Sequence, residues 1–183
     1  MKVSPTPLAG VMVIDTERRE DPRGSFARLF CAQELGAVIG RRRIVQVNQS
    51  TTAVPGTVRG MHYQLPPHAE MKLVRCLRGR VWDVAVDLRA GSPTLLQCHA
   101  QELTPANGRM LVIPEGCAHG VQALEADSEL LYLHTAAYDA TSEAGVHCLD
   151  PLLAIRWPMK VLGLSQRDTG HPAVERSFRG IVL

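Results

Sequence analysis

A chain of 183 residues fits one domain and is long enough to bury a real core. Its 45% hydrophobic and 21% charged content is ordinary for a soluble globular protein. A formal net charge of +2 gives no basis for nucleic-acid binding, so any anion-binding groups must be few and local, as a small-molecule phosphate site requires.

The opening stretch MKVSPTPLAGVMVIDTERRED holds no sustained apolar run, so no secretory signal is expected. Nowhere does the chain approach the ~18 consecutive apolar residues of a membrane span. Residues Ala32 to Ile39 are predicted to form a turn or two of helix, as is the segment near Ser142. From Arg43 to Thr135 the chain reads instead as short apolar runs: RIVQVNQS, KLVRCL, RVWDVAVDL, LLQCHAQEL, RMLVIP, HGVQAL and ELLYLHT. Turn signals separate them, among them Pro55-Gly56, Arg78-Gly79, RAGSPT (89–94), TPANGR (104–109) and Pro114-Glu115-Gly116. Such closely spaced turns predict a sandwich or barrel of antiparallel strands. The five cysteines (Cys31, Cys76, Cys98, Cys117 and Cys148) are scattered, odd in number and lack a CxxC pair. They argue for buried free thiols in a reducing cytoplasm, against a disulfide framework or zinc–thiolate site.

Alternation along the strands sorts the polar residues by face. Ile44, Gln46 and Asn48 share one face, opposite Val45 and Val47. Lys72 lies with Val74 and Cys76, and Tyr132 lies with Leu130 and His134. Polar groups set among core residues on several strands predict a barrel whose interior is partly a ligand cavity.

Three segments carry the chemistry: VRGMHYQ (58–64), EMKLVRCLRGRVWDVAVDLRAGSPT (70–94) and IPEGCAHGV (113–121). Together with DPRGSF (21–26), QVNQS (46–50) and LSQRD (164–168), they resemble the dTDP-4-dehydrorhamnose 3,5-epimerase family, over roughly residues 10 to 170. The resemblance implies an all-β fold: a single cupin-type jelly-roll barrel or sandwich over 1–183, with short N- and C-terminal extensions. It also implies a homodimer, a nucleotide-diphosphate-sugar substrate, and epimerisation at C3 and C5 beside a 4-keto group, with no metal and no cofactor.

Roles carry over residue by residue. His62 in RGMHYQ matches the family's general base and Asp168 in SQRD its partner carboxylate, with Asp83 the other candidate partner. Tyr132 matches the acid that reprotonates the opposite face, and Lys72 the cation near the ketone oxygen. Arg23, Gln46, Asn48, Arg59, His119 and Glu143 match nucleotide or sugar contacts, Tyr138 is expected against the base, and Arg167 beside the sugar or phosphate. His68, His99, His134, His147 and His171 receive no role.

Elementary chemistry agrees with this set. Removing a proton beside a ketone leaves an enolate, so the site needs a base, a donor at the oxygen and an acid on the other face. Histidine titrates near neutrality, and a carboxylate on its second nitrogen fixes the tautomer. Taken singly, each residue has a plainer reading: His62 as a surface histidine, Tyr132 as a core aromatic, Lys72 as an edge charge, His119 as a strand cap.

The pattern breaks at Arg28, where the family's Arg-Gly-x-Phe-x-Glu motif has its glutamate. Guanidinium is donor-only, so Arg28 cannot accept the bond that the glutamate accepts. Either it points elsewhere, or it marks a different nucleotide or sugar. The motifs also leave open whether one centre or both are inverted. The competing readings are a mono-epimerase or ketoisomerase on another nucleotide sugar, a sugar-nucleotide-binding cupin without activity, and a metal-dependent cupin enzyme drawing on His62, His68, Glu70 and His119.

Overall fold

The structure, a computed structural model, describes residues 1–183. The elements run in chain order as β1 (Lys2–Pro5), β2 (Met12–Asp15), β3 (Arg18–Asp21), β4 (Gly24–Ala27), α1 (Gly36–Ile39), β5 (Gln46–Thr52) and β6 (Val58–Gln64). There follow β7 (Lys72–Arg78), β8 (Val81–Asp87), β9 (Cys98–Leu103), β10 (Arg109–Ile113), β11 (Cys117–Ala123), β12 (Ser128–His134), β13 (Glu143–Gly145) and α2 (Gln166–Thr169). Two antiparallel sheets face each other, one in the order β1-β2-β10-β7-β12-β5 and the other β13-β6-β11-β8-β9. This is the all-β jelly-roll sandwich that the turn spacing and the resemblance predict.

Three apolar layers follow from the alternation. Val74, Cys76, Leu111 and Leu130 of the six-stranded sheet meet Val81, Ala85 and Val121 of the five-stranded one inside the barrel. Outside the five-stranded sheet, Met61, Val84, Val86 and Ala118 are covered by the C-terminal segment through Leu153, Trp157 and Ile181. Outside the six-stranded sheet, Leu73, Met110 and Leu133 are covered by Leu35 and Ile39 around α1. At one end of the barrel the apolar interior gives way to polar side chains, and there the cavity opens.

Two expectations need correction. The N-terminus is not a mere extension: β1 and β2 continue the six-stranded sheet, Met12–Asp15 pairing with β10. The segment near Ser142 is not helical: its backbone turns at Asp139, then pairs with β6 as β13, because β6 would otherwise present an open edge. A third element, the β3–β4 hairpin, forms its own two-stranded sheet outside the barrel.

One irregularity positions the site. Strand β6 pairs His62 with His119 but Gly60 with Gly120, so one extra residue bulges between them. Strict alternation would send Arg59 and His62 to opposite faces; the bulge turns both toward the cavity. Gly60 makes this possible, with φ at +124° and Gly120 Cα only 2.5 Å from where a Cβ would stand.

Candidate active site

The open end of the barrel holds a cavity of about 640 Å³ walled by both sheets. Of the twelve site residues expected from the sequence, eleven line it: His62, Tyr132, Asp168, Lys72, Gln46, Asn48, Arg59, His119, Tyr138, Glu143 and Arg167. Arg23 does not. It sits on the exposed β3–β4 hairpin, where its side chain is 89% exposed and bonded only to Asp21. Arg28 likewise lies outside the cavity, ion-paired to Glu34. Within this chain it therefore points elsewhere.

His62 Nε2 stands 2.6 Å from Asp168 Oδ1, which settles the choice between Asp168 and Asp83. Asp168 is positioned by α2: Ser165 caps the helix, its Oγ accepting from the Asp168 N–H at 3.0 Å. The Gly60 N–H approaches the other carboxylate oxygen at 3.4 Å. Burial would raise the Asp168 carboxyl, but the His62 hydrogen bond and the surrounding donors outweigh it and hold it below its ordinary value. Burial lowers the His62 pKa, outweighing Asp168, with Arg167 and Lys72 adding to the depression. At neutral pH this leaves a neutral imidazole beside a carboxylate. Nε2–H donates to Asp168, and Nδ1 carries the free lone pair.

Tyr132 stands on the opposite sheet. Burial pushes its phenol up to about 12, against the opposing hydrogen bond donated by Ser50 Oγ at 3.4 Å. A proton held that firmly leaves only for a strongly basic acceptor. The Tyr132 ring meets His119 edge-on and stacks on His134, with centroids 6.0 Å apart in both cases. His119 Nε2 is in turn 2.5 Å from Asp83 Oδ1, at the bottom of the cavity. Lys72 Nζ lies 3.4 Å from the His62 carbonyl and 3.3 Å from Glu70 Oε1.

At the mouth, Glu143 binds Arg167 at 2.7 Å and the Tyr138 hydroxyl at 2.8 Å, while the Tyr138 N–H donates to Gln46 Oε1 at 3.0 Å. Arg59 bonds only neutral groups, Thr52 Oγ1 and the Thr51 carbonyl, so its charge is not cancelled by a protein carboxylate. Sequence reasoning gave no proton-transfer or substrate-binding role to Glu70, His134, Ser50 and Ser165, which also line this wall. The Ser-x-x-Asp spacing at 165–168 was the available signal for the helix that carries Asp168.

The residues considered for a metal do not converge: His68 bonds Ser142, His119 bonds Asp83 and Glu70 bonds His134. The group of ligand-type atoms that does converge, His62, Asp168 and His171 within 4.8 Å, is built around the His62–Asp168 hydrogen bond. The donor set therefore fits proton transfer rather than metal coordination.

A family model described as dTDP-4-dehydrorhamnose 3,5-epimerase matches residues 5–176. The chain is 41% identical over 168 residues to dTDP-4-dehydrorhamnose 3,5-epimerase of Sinorhizobium fredii, spanning 91% of this chain and 86% of that one. It is equally 41% identical over 169 residues to dTDP-4-dehydrorhamnose 3-epimerase of Streptomyces niveus, with 92% and 81% covered. Among solved structures, a dTDP-6-deoxy-D-glucose-3,5-epimerase from Legionella pneumophila in complex with dTDP-4-keto-L-rhamnose superposes with a TM-score of 0.91. Identity there is 35%, over 98% of this chain and 97% of the other.

Proposed function

The chain belongs to the dTDP-4-dehydrorhamnose 3,5-epimerase family, and from that premise we propose that it inverts C3, C5 or both of a dTDP-linked 4-keto-6-deoxyhexose, dTDP-4-dehydro-6-deoxyglucose above all. The observation that carries this reading is the pairing of a neutral, carboxylate-backed His62 on one sheet with a firmly protonated Tyr132 on the other, across one cavity. His62 Nδ1 removes the proton beside the ketone, Lys72 donates to the oxygen as the enolate forms, and Tyr132 delivers a proton to the opposite face. Arg59 and Arg167 receive the diphosphate, and Tyr138, half-exposed at the mouth, receives the base. Gln46, Asn48, His119 and Glu143 supply polar contacts to sugar and nucleotide. Equal similarity to a 3,5-epimerase and a 3-epimerase does not divide the two outcomes.

The pH dependence tests the assignment. His62 has a lowered pKa, so its base form is already present below the ordinary value of about 6.5 and is lost only under more acid conditions. The acid limb of kcat/KM is therefore expected below 6.5, and Tyr132 ionisation imposes no loss until about 12. An acid limb above 7 contradicts the His62 assignment.

We further infer a homodimer. Strand β5 is the edge of its sheet, yet Val45 and Val47 are 57% and 56% exposed, and Phe26 on the outlying hairpin is 69% exposed. A second copy covering these side chains brings Arg23 to bear on a cavity it does not reach within its own chain. The expected result is a dimer by sedimentation equilibrium, with Arg23→Ala raising KM several-fold while the dimer persists. A monomer of full activity sinks this inference. No helix is long and apolar enough to cross a membrane. All five cysteines are unpaired, which supports a reducing, cytoplasmic site of action.

A further inference from the structure

Three imidazoles line the cavity, and each has a carboxylate behind it: Asp168 behind His62, Asp83 behind His119 and Glu70 behind His134. The third pair has no part in the mechanism above. Register places it: His134 of β12 stands directly across from Lys72 of β7, and on its other side across from Gln46 of β5. Glu70 precedes β7 and closes the triangle, with Oε2 2.7 Å from His134 Nδ1 and Oε1 3.3 Å from Lys72 Nζ. The side chains of Glu70, His134 and Lys72 are only 7%, 10% and 11% exposed.

Resting on the reading of Lys72 as the donor to the ketone oxygen, we propose that Glu70 and His134 are positioning residues that hold Lys72 paired and aimed into the cavity. A buried ammonium with no counter-charge is costly to keep in place. Glu70 supplies that counter-charge. A buried carboxylate needs partners of its own, since a lone buried charge is costly. Here His134 Nδ1–H donates to one oxygen and Lys72 to the other. Burial alone would raise the Glu70 carboxyl, but the His134 hydrogen bond and the Lys72 charge outweigh it and hold it lowered. His134 Nε2, 3.4 Å from Asn48 Nδ2, is left as an acceptor, which fits the neutral tautomer with its proton on Nδ1. The ring is held between Glu70 and Asn48 and lies near-parallel to Tyr132, at 19° between planes. Proton acceptor, oxyanion donor and proton donor are thus each held by a separate partner.

The other charged and titratable groups lining the cavity with Lys72 include His62 and Arg59 from β6, His119 from β11, Tyr132 from β12, Tyr138, Glu143 from β13, and Arg167 and Asp168 from α2; β10 contributes Ile113 opposite it. The two other carboxylates are engaged elsewhere, Glu143 with Arg167 and Tyr138 and Asp168 with His62, so Glu70 is the carboxylate paired with Lys72.

The test compares kcat and KM of purified variants with dTDP-4-dehydro-6-deoxyglucose. Glu70→Gln keeps the shape and removes the charge. It is expected to lower kcat about 10- to 100-fold with little change in KM, because the bond to the oxygen strengthens only as the enolate forms. His134→Ala is expected to show a smaller loss of the same kind, and His134→Asn, which can still donate to Glu70, to recover most of it. Lys72→Ala separates the two levels of the argument. If Lys72→Ala is nearly inactive while Glu70→Gln and His134→Ala keep wild-type kcat, this inference is overturned and the reading of Lys72 stands. If Lys72→Ala itself retains wild-type kcat, the reading of Lys72 fails and the inference with it.

Discussion

His62→Ala is expected to abolish epimerisation, lowering kcat by about 10³-fold or more, and to stop solvent exchange at C3 and C5 alike. Of the two carboxylate-backed imidazoles on that wall His62 is the more accessible, its side chain 21% exposed against 6% for His119, and Lys72 is a cation paired with Glu70. The loss should appear in kcat and kcat/KM together, because the base acts only as the proton leaves. Binding of dTDP, followed by calorimetry, should stay near the wild-type value. Residual exchange within tenfold of wild type would assign the base elsewhere in the cavity.

Tyr132→Phe should give a different defect. The phenol delivers the second proton, so inversion falls about 10²- to 10³-fold when it is removed. His62 is untouched and can still remove a proton and return a deuteron to the same face. The variant is therefore expected to exchange substrate protons with solvent while leaving their configuration unchanged. Phenylalanine keeps the aromatic packing between His119 and His134, so loss of the hydroxyl rather than of the fold accounts for the effect. Unimpaired inversion in Tyr132→Phe would transfer the acid role to another donor. Simultaneous loss of exchange and inversion would mean that Tyr132 also serves the first step.

Much of this site was legible in the sequence because period-two alternation is a strong constraint. Reading Lys72 with Val74 and Cys76, Tyr132 with Leu130, and Gln46 with Asn48 sorted the inner wall before any fold was known, and all four polar residues line the cavity. What alternation could not carry was register and irregularity. Arg59 and His62 are three apart and share the cavity only because β6 bulges at Gly60 and Met61. The pairing of His134 with Lys72 depends on how β12 docks on β7, which neither strand encodes alone. The sequence alone therefore gives His134 its face but not its partners.

Two other departures have similarly local causes. The Ser142 segment was read as helical, yet the Asp139 carboxylate accepts from the N–H groups of Thr141 and Ser142 and turns the chain, and β6 then captures it as a strand. Arg23 was expected in the site from its motif, but a motif does not say which copy of the chain its residue serves. Its hairpin lies outside the barrel, beyond reach of its own cavity.

The central claim is that this cavity transfers protons at carbon beside a ketone. The most direct measurement is proton NMR of dTDP-4-dehydro-6-deoxyglucose incubated with the protein in D2O, with a chelator present. The account predicts loss of the C3 proton signal, the C5 signal or both, accompanied by the inverted product and unaffected by the chelator. Loss of both signals assigns a 3,5-epimerase, and loss of one a mono-epimerase. Retention of both signals, or exchange that the chelator suppresses, would contradict it.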